Sequence, residues 1–281
     1  MPTVVPPIKC QGIKTKLIPM IQFVVGHSIQ GRWIEPFCGS GVVAFNIKPK
    51  TAILADTNEH IIYFYQAIQT GLITPEIVSQ YLKQEGEKLL TEGEQYYYDV
   101  RDRFNTHQHL LDFLFLNRAG FNGMLRYNRK GHLNVPFCRK PQRFAKAYIT
   151  KIVNQVRVVQ DIIQAHEWTF QVADFSTTLA AVEAHDLVYV DPPYSGRHVD
   201  YFNTWTNQNE QDLIAQLKQL PCDFILSTWK ENQFRANSMF AENWQQSELQ
   251  IIPVEHFYHL GAATTLRHAM TEALVTNRKV E

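Results

Sequence analysis

The chain has no Cys-x-x-Cys pair; its four cysteines, Cys10, Cys38, Cys138 and Cys222, stand far apart. That scatter excludes a disulfide framework and a zinc ribbon, and it suits a reducing compartment where a buried thiol acts as a small hydrophobe. No stretch approaches the ~18 consecutive apolar residues that a membrane span needs. Met1-Pro2-Thr3 opens without the basic-then-apolar pattern of a signal peptide. Internal repeats and low-complexity tracts are absent as well. At 281 residues, 45% hydrophobic and 19% charged, the chain can bury a sizeable core and is too apolar for a disordered polymer. The expectation is a soluble, cytoplasmic protein of one large domain or two small ones.

Net charge is missing too, with 27 Lys+Arg against 27 Asp+Glu. A zero sum argues against a polyanionic partner only if the charge is evenly spread. It is not. Between Asp112 and Asp161 there is no acid, but there are ten basic residues: Arg118, Arg126, Arg129, Lys130, Arg139, Lys140, Arg143, Lys146, Lys151 and Arg157. The remainder therefore carries 17 basic and 27 acidic residues, a net −10. The N-terminal arm repeats the asymmetry, with Lys9, Lys14, Lys16 and Arg32 ahead of Glu35. The ten charges are interleaved with Phe121, Tyr127, His132, Phe137 and Phe144, a pattern that favours a phosphate-contacting surface over a merely solvated face.

Short runs rich in β-branched and aromatic residues recur at Arg32–Phe37, Thr51–Asp56, Trp168–Asp174, Asp186–Pro193, Asp223–Trp229, Gln250–Phe257 and Glu272–Asn277. Helical spacing fills Glu59–Thr70, Lys146–Ala165 and Glu210–Leu220 between them. Strands alternating with helices predict a doubly wound, mostly parallel α/β sheet, and the near-continuous Val, Ile and Leu of several strands fits burial on both faces. From Gly71 to about Lys146 the rhythm breaks. Helical patterns at Ile73–Glu87, Gln95–Asn105 and Leu110–Asn117 lead into a Gly/Asn-rich stretch, as expected of an inserted, mainly helical subdomain. The division expected is 1–58 with 147–281 as one domain and 59–146 as the insert.

Two motifs carry chemistry. Arg32-Trp-Ile-Glu35-Pro-Phe37-Cys38-Gly39-Ser-Gly41-Val-Val-Ala44 reads as strand, glycine turn and helix, with glycines that let a ligand approach the backbone. A second strand then ends on Asp56, where a carboxylate suits the two hydroxyls of a ribose. The spacing also satisfies G-x-G-x-x-A, so a nicotinamide dinucleotide or a purely structural turn remains open; the motif establishes a nucleoside-type pocket and no more. The sharper signal is Asp186-Leu-Val-Tyr-Val-Asp191-Pro192-Pro193-Tyr194. A buried strand delivers a carboxylate to its C-terminal end, where open α/β sheets place ligands. Two prolines remove two donors and leave carbonyl acceptors, and Tyr194 offers a flat face. Acceptors beside an aromatic plate suit a planar amine. Asp191 and the Pro192 carbonyl would take both its hydrogens and aim the nitrogen lone pair at an electrophilic methyl, so that positioning and electrostatics supply the acceleration. His166, His256, His259 and His268 show no ligand spacing, and no metal is expected.

In this order, the glycine loop, the basic insert and Asp191-Pro-Pro-Tyr194 make the chain resemble the Dam-like, alpha-group adenine-N6 DNA methyltransferases, and among them the EcoRV-type modification methyltransferases. The resemblance runs over nearly the whole chain. Lys9-Cys-Gln-Gly-Ile-Lys14 corresponds to the family's N-terminal element. Leu116-Asn-Arg118-Ala-Gly-Phe121-Asn122-Gly-Met124-Leu-Arg126-Tyr-Asn128, with Gly131 and Asn134-Val-Pro-Phe137, matches its recognition hairpin. Ala173-Asp174-Phe175 and Glu272-Ala-Leu-Val-Thr-Asn277 match two further elements. The resemblance implies a seven-stranded, Rossmann-like, S-adenosylmethionine-dependent fold in which the insert recognises DNA. It implies that Cys10, Lys14, Phe37, Gly39, Gly41, Asp56, Asp174, Phe175 and Asp191 bind the cofactor. It gives Asp191, Pro192 and Tyr194 the catalytic roles, with Tyr194 stacking on a flipped adenine. On the DNA side it places Lys9, Arg118, Phe121, Asn122, Met124, Arg126, Asn128, Asn134 and Lys140. Phe121 would wedge into the stack vacated by the flipped base, and Met124, Arg126 and Lys9 would face base edges.

Arginine is the commonest reader of guanine, and a base must leave the duplex to be methylated, so these roles agree with independent chemistry. Cys10 stands where the family has Trp, and Cys138-Arg139-Lys140 replaces its Gly-x-Tyr. The expected activity is adenine-N6 methylation within a palindromic duplex site containing GAT, in the cytoplasm at the nucleoid, either alongside a restriction endonuclease that acts on the same site without direct contact or as a solitary Dam-like enzyme. Cytosine-N4 methylation is the nearest enzymatic alternative. A nicotinamide oxidoreductase leaves Asp191-Pro-Pro-Tyr194 unexplained, and a DNA-binding protein without catalysis leaves both pocket motifs idle.

Overall fold

The computed structural model describes residues 2–193, 205–232, 235–236, 242–244, 249–257 and 269–279. Among the described residues there are eight strands: β1 (Trp33–Glu35), β2 (Thr51–Asp56), β3 (Glu167–Val172), β4 (Leu187–Val190), β5 (Asp223–Asn232), β6 (Arg235–Ala236), β7 (Gln250–Phe257) and β8 (Ala269–Thr276). Seven lie in the order β3-β2-β1-β4-β5-β8-β7, and the short β6 pairs with β5 off that path. β3, β2, β1, β4 and β5 run parallel. β8 is antiparallel to both β5 and β7. The expected mostly parallel α/β sheet is therefore present, with an antiparallel edge.

Side chains of the central strands alternate between two apolar layers. Trp33, Leu187 and Tyr189 enter one core and Ile34, Val188 and Val190 the other, so both faces are covered. The second layer is closed by α8 (Phe175–Ala180) and α9 (Asn207–Lys218). The first contains α1 (Ile18–Val25), α2 (Val42–Ile47), α3 (Glu59–Gln69) and α7 (Lys146–Ala165). Trp33 and Tyr189 stack at 5.7 Å across the β1–β4 junction, which fixes the two strands where the order reverses.

Between α3 and α7 the chain forms α4 (Pro75–Glu92), α5 (Glu94–His107) and α6 (Leu110–Ala119). Thr74 caps α4 by accepting from the Ile77 amide, with Pro75 in the first turn, and Gly93 at φ +68° turns the chain into α5. α3 belongs to the sheet layer: Gln66 and Gln69 donate to the Phe170 and Trp168 carbonyls of β3 at 2.7 Å. Arg103 ties the insert together, bonding Glu85 at 2.8 Å and Asp112 at 2.9 Å, while Tyr96 donates to Glu85 at 2.5 Å. No described helix is long and apolar enough to cross a membrane.

Candidate active site and nucleic-acid interface

Parallel strands bring their C-terminal ends to one edge. Along β3-β2-β1-β4 that edge presents Asp174 after β3, Asp56 ending β2, Phe37 to Gly41 after β1, and Asp191 after β4. The row lies at the point where strand order reverses, which is where open α/β sheets take ligands. Three strand spacings of about 4.8 Å make it ~14 Å long.

The glycine loop is built for close approach. Gly39 and Gly41 hold φ +49° and +70°. A Cβ on Gly39 would meet nothing within 4 Å, so that face is open, whereas one on Gly41 would stand 2.6 Å from the Phe45 ring. Asp56 fastens the loop, its Oδ2 accepting from the Gly39 amide at 2.7 Å and its Oδ1 from the Asn58 amide at 2.8 Å. The amides leave acceptor capacity on the carboxylate for a ligand hydroxyl. Burial pushes the Asp56 carboxyl up, and the amides of Asn58, Gly39 and Thr57 oppose this. The Tyr65 hydroxyl donates to the Ser40 carbonyl at 2.6 Å and holds the loop from below.

Glu35 was not singled out from the sequence. It is 2% exposed at the end of β1 and accepts from Trp33 Nε1 at 3.0 Å. Burial pushes its carboxyl up to about 8, helped by the nearby Asp191 and Asp56 charges, while the Trp33 and Ala44 N–H groups pull it down. It thus ties the end of β1 to the first turn of α2. A carboxylate closing a buried strand immediately before Pro-Phe-Cys-Gly was the available signal. Cys10 and Cys38 adjoin this group; both thiols are pushed up by burial and are present as neutral SH.

At the far end Lys14 reaches Asp191. Its Nζ lies 2.8 Å from Asp191 Oδ1 and 2.9 Å from the Gly12 carbonyl, and the lysine is 4% exposed. Burial raises the Asp191 carboxyl to about 6, with the Lys14 cation pulling it down and Glu272 pushing it up. The structure thus joins two residues both expected at the cofactor, one of which, Asp191, was also expected at the target amine. Phe37 stacks on Phe175 at 5.7 Å, and Trp205 stands edge-on to Phe37 at 5.6 Å, forming an aromatic wall near the β3 end. Asp174 caps α8 by accepting from the Thr177 amide at 2.7 Å. Tyr194 lies outside the described residues.

The recognition segment is pinned beside this edge. Two antiparallel bridges, Gly120 to Phe137 and Tyr127 to Leu133, make it a hairpin whose tip turns at Gly131 with φ +76°. Phe121 is 49% exposed, and Asn122, held at φ +52°, is exposed beside it. Arg126 is half-buried, its Nε donating to the Asn134 carbonyl at 2.8 Å, which aims the guanidinium along the hairpin. Asn128 is spent on the tip, its side chain accepting from the Lys130 and His132 amides. Asn117 accepts from the Lys9 amide and donates to the Lys9 carbonyl, both at 2.8 Å. The Lys9 stem crosses Gly123 where a Cβ would meet it at 2.4 Å. Met124 packs partly against the core, while Asn134 and Lys140 are exposed.

Arg118 corrects the expectation. It is 2% exposed, donates to the Pro7 carbonyl at 2.9 Å and lies over the Tyr148 ring at 5.0 Å, so it faces the interior and not a phosphate. The signal was in α6, whose residues Asp112 to Ala119 are all buried; a helix apolar nearly all round is a core helix. Arg118→Ala is accordingly expected to lower unfolding stability by about 2–3 kcal/mol. The salt dependence of DNA binding should not change; a flattened salt slope with unaltered stability would restore the phosphate role. Arg129, Lys130, Arg139, Lys140, Lys146, Lys151 and Arg157 remain exposed. Among the described residues no group of three or more His, Cys, Asp or Glu could hold a metal ion.

Residues 11–260 match the model of the D12 class N6 adenine-specific DNA methyltransferases. The chain is 30% identical over 218 residues to the retron Ec67 DNA adenine methylase of Escherichia coli, spanning 75% of this chain and 70% of that protein. It is 32% identical over 195 residues to a DNA adenine methylase of Vibrio cholerae, spanning 67% of this chain and 64% of the relative. To the type II methyltransferase M.MjaIII of Methanocaldococcus jannaschii it is 29% identical over 238 residues, 76% and 78% of the two chains. An rRNA methyltransferase of Streptomyces viridochromogenes aligns in structure over 96% of this chain and 87% of its own, at 11% identity and a TM-score of 0.40. With its family elements in order along the chain and matched by the family model from the N-terminal arm to residue 260, the protein belongs to the D12 class of N6 adenine-specific DNA methyltransferases.

Proposed function

We propose that the protein transfers a methyl group from S-adenosylmethionine to N6 of an adenine flipped out of duplex DNA. The observation that carries this is the single sheet edge on which Asp174, the Phe37–Phe175 pair, Asp56, the open face of Gly39 and the Lys14–Asp191 pair follow one another. Its ~14 Å matches an extended adenosine-plus-amino-acid ligand. The residues fit that cofactor: an aromatic wall and Asp174 for the adenine, acceptor capacity on Asp56 for the ribose, the glycine cradle and Cys10 along the methionine arm, and Lys14 for a carboxylate.

When bound, S-adenosylmethionine supplies an electrophilic methyl on a sulfonium. The chain's own residues prepare the acceptor. Asp191 and the Pro192 carbonyl accept the two hydrogens of the target amine, which localises the nitrogen lone pair and orients it. Tyr194 stacks on the base. Phe121 fills the gap left in the duplex, offsetting an extrusion that costs a few kcal/mol. Lys9, Met124 and Arg126 read base edges while Asn122, Asn134, Lys140 and the other exposed basic residues hold phosphates. The part between α3 and α7 is the recognition unit, and a GAT-containing palindrome read in the nucleoid is the proposed target.

Methyl incorporation from labelled S-adenosylmethionine into duplex DNA, followed by single-molecule mapping of N6-methyladenine, tests donor, base and site together. Label in N4-methylcytosine, or none at all, would overturn the proposal. Arg126→Ala is expected to relax preference at one base pair, a bidentate arginine being worth about 1–3 kcal/mol of discrimination. An unchanged site in the same mapping would contradict that placement.

A further inference from the structure

Tyr127 belongs to the recognition hairpin, one residue beyond Arg126, yet its hydroxyl does not face outward. It meets the side chain of Asn58, at 3.3 Å from Nδ2 and 3.4 Å from Oδ1. Asn58 in turn donates its amide to Asp56 Oδ1 at 2.8 Å, and its side chain accepts from the His60 amide to start α3. The Tyr127 ring lies parallel to the His60 ring at 5.8 Å, with an interplanar angle of 22°. Two contacts therefore lead from the base-reading hairpin to the carboxylate that fastens the glycine loop, through residues of which Asn58 is buried and Tyr127 half-buried.

We propose that Tyr127 and Asn58 are positioning residues that couple the two ligand sites, so that cofactor on Asp56 and duplex on the hairpin each raise the affinity for the other. The inference rests on the assignment of Asp56 to the cofactor and of the hairpin to DNA. A ligand hydroxyl on Asp56 fixes the turn at Asn58 and with it the hydroxyl that holds the hairpin; DNA seated on the hairpin fixes the same joint from the other side. A joint ordered by the first ligand is not ordered again by the second, and by linkage the gain is equal in both directions.

The test is the dissociation constant of S-adenosylhomocysteine measured by calorimetry with and without a duplex carrying the mapped site, for the whole protein, Tyr127→Phe, Asn58→Ala and the double variant. Tyr127→Phe keeps the ring against His60 and removes only the hydroxyl. The unaltered protein should bind S-adenosylhomocysteine about fivefold or more tightly on DNA, the factor that one such hydrogen bond can transmit. Tyr127→Phe and the double variant should bring that ratio close to 1, and in Tyr127→Phe each ligand's affinity alone should change less than about threefold. The reciprocal DNA measurement should show the same loss. A ratio of 1 in the unaltered protein, or a ratio that Tyr127→Phe leaves intact, overturns the coupling. Failure of S-adenosylhomocysteine to bind at all, or absence of N6-methyladenine, would instead overturn the site assignment, so the two failures are told apart.

Discussion

Asp191→Ala should abolish methyl transfer, lowering kcat by at least about 10³-fold, while affinity for duplex DNA stays within about threefold. The loss comes from one carboxylate that performs two tasks. In the proposed reaction it accepts a hydrogen of the amine, and removing one preorganised partner of that kind costs about 10²–10³ on its own. It also neutralises Lys14, which sits 2.8 Å away and 4% exposed. Leaving that cation without its carboxylate costs up to about 3–5 kcal/mol of stability, less here because the Asp191 side chain is 22% exposed. The hairpin proposed to read DNA is tied to the N-terminal arm at Lys9, whereas Asp191 pairs with Lys14, so binding should persist. Circular dichroism and gel-shift titration would establish that the variant is folded and still binds. Asp191→Asn keeps the shape and should be nearly as inactive. Turnover within tenfold of normal in either variant would remove Asp191 from the reaction.

Lys14→Gln is expected to reduce kcat/KM about 10- to 100-fold at pH 7, the worth of a charge-assisted hydrogen bond. It should also change the pH profile in a way that simple loss of fit would not. In the proposed reaction Asp191 must be ionised to accept a hydrogen of the amine, and its carboxyl is raised to about 6 by burial. Activity should therefore fall as pH drops through about 6. The Lys14 cation opposes the rise, so its removal sends the carboxyl higher and carries the acidic limb upward by about one pH unit or more. Activity of the variant should recover partly at pH 8 and above. A limb left in place would mean that another group sets it.

Much of this was legible in the sequence for one physical reason. Central strands covered on both faces read as apolar blocks, so β1 and β2 were located within two residues at either end, and β4 within one at its start though it stops at Val190 and not Pro193. β5 and β8 run further than expected, to Asn232 and from Ala269, because cross-strand pairing around the irregularity at Trp229 and Glu231 extends them beyond their apolar cores. α1 carries no capping side chain and α8 has six residues, so neither shows a periodic signature long enough to read. The motif residues converge because four parallel strands end at one edge; local sequence names them, and topology alone makes them neighbours. Arg118 shows the opposite case. A cation in an acid-free run looks like a phosphate ligand until the helix beneath it proves to be central. Likewise Tyr127 reads as one aromatic among several in a basic stretch, and its link to Asn58, 69 positions away, is invisible before folding.

The insert and the sheet share one continuous apolar core, in which Leu82, Val100, Phe104 and Phe113 pack with Phe64, Ile68 and Phe170. Specificity in this fold is therefore not a cassette. Transplanting the whole helical insert from a relative would cut through packed hydrophobic surface and expose it on both sides of the graft. The portable part is far smaller: the exposed side chains of the hairpin, among them Phe121, Asn122, Asn134 and Lys140, can be exchanged without touching that core, to which Leu133, Val135 and Phe137 of the same hairpin belong. A protein of this construction should diversify its target by substitutions at the rim, and engineering of new sites should begin there.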